Sequence, residues 1–349
     1  MFKYLILQHP GHNRVYYNLS GELALAELKI SSGRLDANCV SIEIVEIEKV
    51  RYLALSSQEE ITDYDLQTLS RLSFVFAIFR VDQIKGKPCF IPISKYNYEY
   101  VDSKISSLQK YAGKTNELFT KMMINVALLS SNFDYTDKIK LLDPVAGKGT
   151  TLYEGVVYGF DVTGIEVEAK SVHACNIFFK KYLEEEHYKH TANTKQVFGK
   201  NKKEAIYAKE FEYATTKEGF RSNDLRKKLS LVNGSSQDAS KYFKKDSFHV
   251  IVGDLPYGIA HGNTTGKAHK SITRNPSELL DQCLPEWFQV LKKGGTIVVA
   301  WNSFVVSKRQ LEDVFIKHGF TVFTETPYDN FEHMVDKSIK RDIIVAKKI

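Results

Sequence analysis

The sequence has little cysteine, and its four cysteines are widely separated: Cys39, Cys89, Cys175 and Cys283. No two of them form a CxxC pair and no histidine cluster accompanies them, so we expect neither a zinc site nor a disulfide framework. The sequence also lacks an apolar run that could span a membrane, and Met1–Leu7 is too short for a signal peptide. These absences predict a soluble, cytoplasmic protein with reduced thiols, no metal and no membrane contact.

Apolar and aromatic residues are plentiful, at 43% and 12% of the sequence. This content supplies sizeable hydrophobic cores and argues against wholesale disorder. A chain of 349 residues is longer than one typical domain, so two domains are expected. The pattern of elements changes after the tyrosine-rich stretch Tyr96–Tyr100, which places the boundary between 1–105 and 106–349.

Residues 1–105 show the pattern of a small α+β domain. The stretch Val40–Ile47 alternates between apolar and polar residues with a period of two, as a half-buried strand does. A helical pattern follows Thr62, and the predicted element order is β-α-β-β-α-β. This order predicts a ferredoxin-like fold for the N-terminal domain.

Residues 106–349 alternate between helical patterns and short apolar strands, which predicts a mostly parallel sheet covered on both faces. We predict a Rossmann-like sheet of seven strands whose last two strands form a hairpin. The fold class is therefore α/β. The predicted strands contain Leu141–Leu142, Thr163–Glu166, Leu229–Val232, Phe248–Val252, Thr296–Ala300, Thr321–Phe323 and Arg341–Ala346.

A glycine turn follows the first of these strands. Gly147 and Gly149 let the chain turn sharply and bring its backbone close to a ligand. Asp143 ends that strand, Glu166 ends the next at the position where an acid binds ribose in dinucleotide folds, and Asp238 follows the third. A lone glycine turn is weak evidence, but these residues together predict a nucleotide-type cofactor. The local sequence Gly-Lys-Gly-Thr lacks the GxxxxGK[ST] spacing of a phosphate loop.

A second turn, Asp254-Leu255-Pro256-Tyr257-Gly258, follows the fourth strand. Open parallel sheets bind ligands beyond the carboxyl ends of their strands, so the two turns can face each other. Together they resemble the motif pair of S-adenosylmethionine-dependent methyltransferases that modify exocyclic amino groups of bases. The seven-stranded pattern matches the methyltransferase variant of the doubly wound fold.

This resemblance gives the second turn the role of acceptor site, with Asp254, Leu255, Pro256 and Tyr257 as its catalytic residues. An exocyclic amine is a poor nucleophile, and its two N–H bonds need two acceptors. Asp254 and the carbonyl of Leu255 supply them. Pro256 biases Leu255 toward an extended conformation, and Tyr257 offers a face for an unstacked base.

The same resemblance assigns the cofactor contacts. Asp143 would accept from the ammonium group of S-adenosylmethionine, Glu166 would bind the ribose, and Asp238 would bind the adenine amino group. The start of the helix at Thr150 would receive the methionine carboxylate. The complete predicted cofactor set is Thr115, Asn116, Asp143, Pro144, Ala146, Gly147, Gly149, Thr150, Glu166, Val167, Gln237, Asp238, Ala239 and Asp254.

The pattern Asp-Leu-Pro-Phe/Tyr-Gly resembles most closely the THUMP-containing tRNA guanine-N2 methyltransferases. Gly113–Glu117, before the first helix of the domain, resembles that family too and would line the cofactor pocket. The ending with His333, Asp336 and Arg341 is similar to its C-terminal hairpin. The likeness covers 106–349 and implies methylation of guanine N2 in tRNA. The N-terminal domain has room for the ferredoxin-like part of a THUMP module but not for a full one.

A basic insertion is predicted at 187–230. It contains nine Lys and two Arg against four Glu and one Asp. Its formal charge of +6 therefore equals the net charge of the whole chain. Such a segment is either a phosphate-binding patch for RNA or a solvated charged insertion. The candidate RNA contacts are Lys200, Lys202, Lys203, Arg226, Lys227 and Lys228.

Two other functions remain open. A DNA adenine-N6 or cytosine-N4 methyltransferase would share the acceptor motif, but it would want a larger target-recognition domain. An RNA-binding protein with a degenerate methyltransferase domain is the non-enzymatic alternative. The intact Asp254, Tyr257 and cofactor residues argue against it.

Overall fold

The structure of the chain, a computed structural model, describes residues 1–10, 14–111, 113–199, 204–256 and 275–349. Contacts divide the chain into two units: Met1–Tyr98 with Thr324–His333, and Glu99–Phe323 with Met334–Ile349. None of the helices within these described ranges is both long and apolar enough to cross a membrane.

An antiparallel sheet with the strand order β2-β3-β1-β4-β5 forms the N-terminal unit. Its first four strands and two helices follow the predicted β-α-β-β-α-β order, and their arrangement is ferredoxin-like, so the prediction is confirmed. The fifth strand pairs with β4 at the edge and was not predicted. The elements are β1 (Phe2–Gln8), α1 (Arg14–Ser32), β2 (Cys39–Ile47), β3 (Val50–Ser57), α2 (Asp63–Arg71), β4 (Val75–Ile84) and β5 (Lys87–Ile93).

The second unit is a mixed α/β structure. It contains α3 (Lys104–Leu108), α4 (Glu117–Ser130), β6 (Lys140–Asp143), α5 (Thr150–Val157), β7 (Asp161–Glu166), α6 (Ala169–Glu185), β8 (Lys189–Phe198), β9 (Ile206–Ala214), α7 (Lys217–Arg221), β10 (Lys227–Asn233), a 3-10 turn (Ser236–Asp238), α8 (Ala239–Tyr242), β11 (Phe248–Asp254), α9 (Pro276–Val290), β12 (Leu291–Asn302), α10 (Lys308–Lys317), β13 (Thr321–Val322), β14 (His333–Met334) and β15 (Lys340–Lys347).

The central sheet of this unit runs in the order β13-β15-β12-β11-β6-β7-β10. The strands from β12 to β10 are parallel, and β15 lies antiparallel to both β12 and β13. This is the predicted Rossmann-like sheet of seven strands, with the antiparallel pair at its end. The carboxyl ends of β6, β7, β10 and β11 therefore meet at one edge of the sheet.

Two further strands, β8 and β9, extend the sheet beyond β10 and lie within the basic segment 187–230. β9 is antiparallel to β10, and β8 is antiparallel to β9. The sequence predicted neither strand, although β9 buries Phe211 and Tyr213. β8, KHTANTKQVF, is a polar edge strand, and most of its side chains are exposed. Without a buried face, a strand has no apolar alternation to reveal it. The basic segment is therefore part of the sheet.

Helices cover both faces of the central sheet, as the alternation along β12 shows. The hydroxyl of Thr296 donates to the carbonyl of Ala127 in α4 at 2.5 Å. Ile297, on the opposite face, belongs to the core under α9 and α10, which also holds the fully buried Trp287. Replacing a buried Trp with Ala typically costs about 3–5 kcal/mol, so this core contributes strongly to holding the strand ends in place.

Candidate active site

A sharp turn joins β6 to α5 at the carboxyl edge of the sheet. Gly147 has φ +52° and Gly149 has φ +95°, in the left-handed region that favours glycine. A Cβ on Gly149 would lie 2.9 Å from the Sγ of Cys175, so this glycine allows close packing of the turn. At Gly147, apart from the glycine and its two chain neighbours, no atom of the described residues lies within 4 Å of the Cβ position. The backbone of Gly147 is therefore accessible to a ligand.

Asp143 ends β6 with its side chain buried. Its Oδ1 accepts a hydrogen bond from the backbone N–H of Val145 at 3.0 Å. Burial, with a smaller contribution from the nearby carboxylates of Glu166 and Asp254, raises the pKa of this carboxyl to about 7. A cation beside Asp143 would favour the ionised form, so the residue is suited to bind a ligand ammonium group.

Glu166 ends β7 and ties that strand to the glycine turn. Its Oε2 accepts from the N–H of Gly147 at 2.8 Å, and its Oε1 accepts from the N–H of Glu168 at 2.7 Å. Burial raises the pKa of Glu166 despite these hydrogen bonds. A carboxylate oxygen has two lone-pair sites, so these bonds leave capacity to bind hydroxyl groups.

The second turn begins at Asp254, the last residue of β11. The N–H of Leu255 donates to the carbonyl of Ala300 in β12 at 2.9 Å, and the Leu255 side chain lies in the core with 1% exposure. Pro256 follows, and Tyr257 lies outside the described residues. The turn is therefore anchored through Leu255, while Asp254 and Pro256 face a cavity.

Two side chains from distant parts of the chain hold the carboxylate of Asp254. The hydroxyl of Thr115, just before α4, donates to Oδ2 at 2.5 Å. The guanidinium of Arg341, from β15, lies 3.8 Å from the same oxygen. Arg341 is buried, and its guanidinium carbon lies 4.7 Å from the ring centroid of Phe119. The orientation of the Asp254 carboxylate is thereby fixed.

Two cavities meet at Asp254. We name them after the cofactor contacts predicted from the sequence, adenosine and methionine. The adenosine-side cavity is mostly apolar and is lined by Pro144, Val145, Gly147, Ile165, Glu166, Val167, Gly234, Ser235, Ser236, Gln237, Asp254, Pro256, Leu279 and Cys283. The methionine-side cavity is lined by Tyr111, Gly113, Thr115, Asp143, Val145, Ala146, Gly147, Lys148, Thr150, Thr151, Ser171, Asp254, Leu255 and Pro256. The two cavities share Val145, Gly147, Asp254 and Pro256 and therefore adjoin, and we refer to them together as the groove.

Most of the predicted cofactor residues line this groove. Asn116 instead caps α4, since its Oδ1 accepts from the N–H of Phe119 at 3.2 Å. Asp238 pairs with Lys241 at 2.6 Å, Ala239 is buried in the core, and Gly149 packs the turn. The predicted residues that the structure brings together in the groove are Thr115, Asp143, Pro144, Ala146, Gly147, Thr150, Glu166, Val167, Gln237 and Asp254.

Several groove residues were missed by the sequence analysis. Leu279 and Cys283 come from α9, whose start carried a signal: Asn275 caps the helix and Pro276 occupies its first turn, a common arrangement. No comparable signal marks the contact of Arg341 with Asp254. Gly113 lies in the segment predicted to line the pocket and does so; the missed residues are Tyr111, Val145, Lys148, Thr151, Ile165, Ser171, Gly234, Ser235, Ser236, Leu279 and Cys283.

The candidate RNA-binding residues lie elsewhere. Lys200, Lys202 and Lys203 fall outside the described residues. Lys228 and Arg226 pair with Glu212 of β9, at 2.7 and 3.3 Å.

Lys227 and Lys228 start β10, whereas the groove lies beyond its other end. A strand rises about 3.3 Å per residue, so these lysines lie about 20 Å from the groove. The Nζ of Lys227 lies 5.6 Å from the ring centroid of Tyr100, and burial lowers its pKa. Any RNA bound there would have to extend across the sheet.

No group of three or more His, Cys, Asp and Glu side chains in the described ranges is placed to hold a metal ion.

Several solved structures show a distant likeness to the chain. TehB from Haemophilus influenzae is 12% identical with a TM-score of 0.39, and the alignment covers 90% of each chain. An rRNA methylase from Streptococcus thermophilus is 10% identical with a TM-score of 0.33, over 61% of this chain and 88% of the other. A geranyl diphosphate methyltransferase, in complex with GPP and sinefungin, is 10% identical with a TM-score of 0.35. That alignment covers 64% of this chain and 76% of the other. These values are too low to indicate a substrate.

The sequence itself gives a clearer comparison. No curated protein matches it significantly, but residues 121–327 match the family model described as the RMKL-like methyltransferase domain. This range is more than half of the chain and includes both the glycine turn and the turn after β11. It confirms the resemblance to RNA methyltransferases, and it does not include a THUMP module. The chain therefore belongs to the RMKL-like methyltransferase domain family, and its methyl donor is S-adenosylmethionine.

Proposed function

We propose that the protein methylates an exocyclic amine of a base in RNA, namely N2 of a guanine in tRNA. The observation that carries this proposal is the position of Asp254. Its carboxylate lies where the adenosine-side and methionine-side cavities meet, and the hydroxyl of Thr115 fixes it at 2.5 Å. An acceptor amine and a methyl donor can meet at this one place in the groove.

The groove suits S-adenosylmethionine at both ends. The methionine-side cavity offers Asp143 for the ammonium group and the start of α5 for the carboxylate. The adenosine-side cavity offers Glu166 for the ribose hydroxyls, and Ile165 and Leu279 form apolar walls for the adenine. When bound, S-adenosylmethionine supplies an electrophilic methyl group on its sulfonium sulfur.

Asp254 and Leu255 then orient the acceptor. The carboxylate of Asp254 and the carbonyl of Leu255 would accept the two N–H bonds of the amine, which aims the nitrogen lone pair at the methyl group. As the new N–C bond forms and the S–C bond breaks, positive charge develops on the nitrogen. Asp254 stabilises that charge, and the excess proton leaves to water after methyl transfer. Positioning and electrostatics supply most of the catalysis.

The choice of tRNA guanine rests on the sequence around the site. The segment Asp254–Gly258 and the segment Gly113–Glu117 both resemble tRNA guanine-N2 methyltransferases. Tyr257 would stack against the target base, as aromatic residues do in enzymes that act on unstacked bases. The basic segment 187–230 would add phosphate contacts.

The test is to identify the methylated nucleoside. The purified protein is incubated with methyl-labelled S-adenosylmethionine and, in parallel, with total tRNA, with rRNA and with duplex DNA, and each nucleic acid is then digested to nucleosides. We expect label in N2-methylguanosine from tRNA. Label in N6-methyladenine or N4-methylcytosine from DNA would support the DNA methyltransferase alternative. Binding of S-adenosylhomocysteine and RNA without any label would support a degenerate domain.

A further inference from the structure

Lys148 occupies an unusual position between the two glycines of the first turn. Gly147 and Gly149, on either side of it, both have positive φ, and Lys148 itself is half-buried. It is the one basic side chain among the described residues that line the methionine-side cavity, where the acids are Asp143 and Asp254. The spacing around this lysine does not match a phosphate loop, and the sequence alone indicates no other role for it.

An aromatic ring holds the Lys148 ammonium group at the cavity. Its Nζ lies 4.5 Å from the ring centroid of Tyr111, the geometry of a cation–π contact. The Tyr111 hydroxyl is in turn hydrogen-bonded to the hydroxyl of Thr150 at 2.9 Å. Burial raises the pKa of Tyr111, so the ring stays neutral. Tyr111 and Thr150 therefore keep the cation beside the start of α5.

The charges around this cavity match those of an amino acid. Asp143 can hold an ammonium group, and within the described ranges no carboxylate forms an ion pair with Lys148. A half-buried cation that rests on a ring is well placed to bind an incoming anion. The free carboxylate of a methionine moiety is an anion of the right kind.

We propose that Lys148 binds the carboxylate of the amino-acid end of S-adenosylmethionine and of its demethylated product. Lys148 would then distinguish nucleosides that carry the amino-acid end from nucleosides that lack it. This inference rests on the proposed cofactor orientation in the groove. A phosphate of the RNA substrate is the competing anion, and the test separates the two.

The test compares two ligands that differ in this carboxylate. S-adenosylhomocysteine carries the amino-acid end, whereas 5′-methylthioadenosine keeps the adenosine and sulfur and lacks it. Calorimetry measures both ligands on the wild type, on Lys148→Met and on Lys181→Met, a matched control at an exposed lysine of α6 that pairs with Glu185. A Lys148→Arg variant retains the positive charge.

We expect Lys148→Met to weaken S-adenosylhomocysteine binding by about tenfold, the usual loss for one charge-assisted hydrogen bond. Its affinity for methylthioadenosine should be unchanged, which also shows that the variant is folded. Lys148→Arg should restore most of the lost affinity, and Lys181→Met should match the wild type with both ligands.

Four results would overturn the inference. Equal losses for both ligands would give Lys148 a structural role, and unchanged affinities would give it no role in cofactor binding. A loss of RNA affinity with intact S-adenosylhomocysteine binding would assign it to an RNA phosphate. A wild type that binds neither ligand would contradict the proposed function, and the inference with it.

Discussion

The hydroxyl of Thr115 donates a hydrogen bond of 2.5 Å to Oδ2 of Asp254, across 139 positions of sequence. Thr115 precedes α4, and Asp254 ends β11. The bond therefore joins the entry to the methyltransferase unit with the acceptor turn. Arg341 approaches the same oxygen from β15, so two segments distant in sequence fix this carboxylate.

The first prediction concerns this bond. Thr115→Val keeps the side-chain shape but removes the donor, so the Asp254 carboxylate loses its fixed orientation. We expect the single-turnover rate of methyl transfer to fall by about tenfold or more, while Thr115→Ser keeps most of the activity. If Val and Ser behave alike, the hydroxyl has no part in positioning Asp254.

The second prediction is a pH dependence of cofactor binding. Asp143 has a pKa raised to about 7 by burial, and only its ionised form can pair with an ammonium group. Affinity for S-adenosylhomocysteine should therefore be full above pH 7 and fall below it, by at most about tenfold per pH unit. Methylthioadenosine has no ammonium group, so its affinity should change little over the same range. Asp143→Asn should remove the pH dependence of S-adenosylhomocysteine affinity, so that the affinities for both ligands change little with pH.

The same raised pKa predicts that the unliganded protein becomes less stable as the pH rises, whereas the affinity for S-adenosylhomocysteine increases. A buried acid that binds its proton more tightly when folded loses stability as pH rises from its unfolded pKa to its folded pKa, here from 3.8 to about 7. Asp143→Asn should therefore stabilise the unliganded protein at pH 8 by about 1–3 kcal/mol, with no gain near pH 3. Urea unfolding at the two pH values measures this.

Glu154 provides the control for both effects. Burial raises its pKa to about 7 as well, but it does not line either cavity in the described structure. Glu154→Gln should stabilise the protein at pH 8 and leave cofactor affinity unchanged. A loss of S-adenosylhomocysteine binding in Glu154→Gln would show that neutralising a buried carboxyl away from the cavities also impairs the site, and the loss in Asp143→Asn could then not be assigned to a direct contact.

The third prediction concerns Tyr257. Stacking needs the ring and not the hydroxyl, so Tyr257→Phe should keep near-normal activity. Tyr257→Ala should lose about 1–3 kcal/mol of base stacking in the binding of the RNA acceptor. The contrast is measured in one single-turnover assay. Should Phe be as damaging as Ala, the hydroxyl itself must contact the substrate.

The fourth prediction concerns the basic segment. If Lys227 and Lys228 contact phosphates, replacing both with Gln should reduce the log–log salt slope of RNA binding by about 0.7 for each contact. Glu212→Gln is the matched control, because it releases Arg226 and Lys228 from their ion pairs and should not weaken RNA binding. An unchanged salt slope in the double Lys227 and Lys228 variant would show that these lysines do not contact RNA phosphates.

The elements that the sequence predicted are those with a strong local pattern. The strands β6, β11 and β12 contain short apolar runs. The glycine turn directly follows β6, and the acceptor turn directly follows β11. Thr62 caps α2 through a reciprocal pair of hydrogen bonds with Asp65. These patterns need only neighbouring residues, so they can be seen without the fold.

The features that the sequence did not predict depend on contacts at long range or on the absence of burial. The polar edge strand β8 has no buried face, and the contact of Arg341 with Asp254 exists only once β15 closes the sheet. Asp238, which is predicted to bind the adenine amino group, pairs with Lys241 three positions later in the unliganded structure, and its contact with the cofactor stays a prediction. That i,i+3 pairing is common on helical turns and was visible in the sequence.

The most direct test of the central claim is methyl transfer by Asp254→Ala under single-turnover conditions, with cofactor affinity measured on the same preparation. The carboxylate is proposed to contact the acceptor amine, so we predict that transfer to tRNA is abolished while the fold and most of the affinity for S-adenosylhomocysteine remain. Near-normal transfer by Asp254→Ala would contradict the account, because residues 254–258 would then not be the acceptor site.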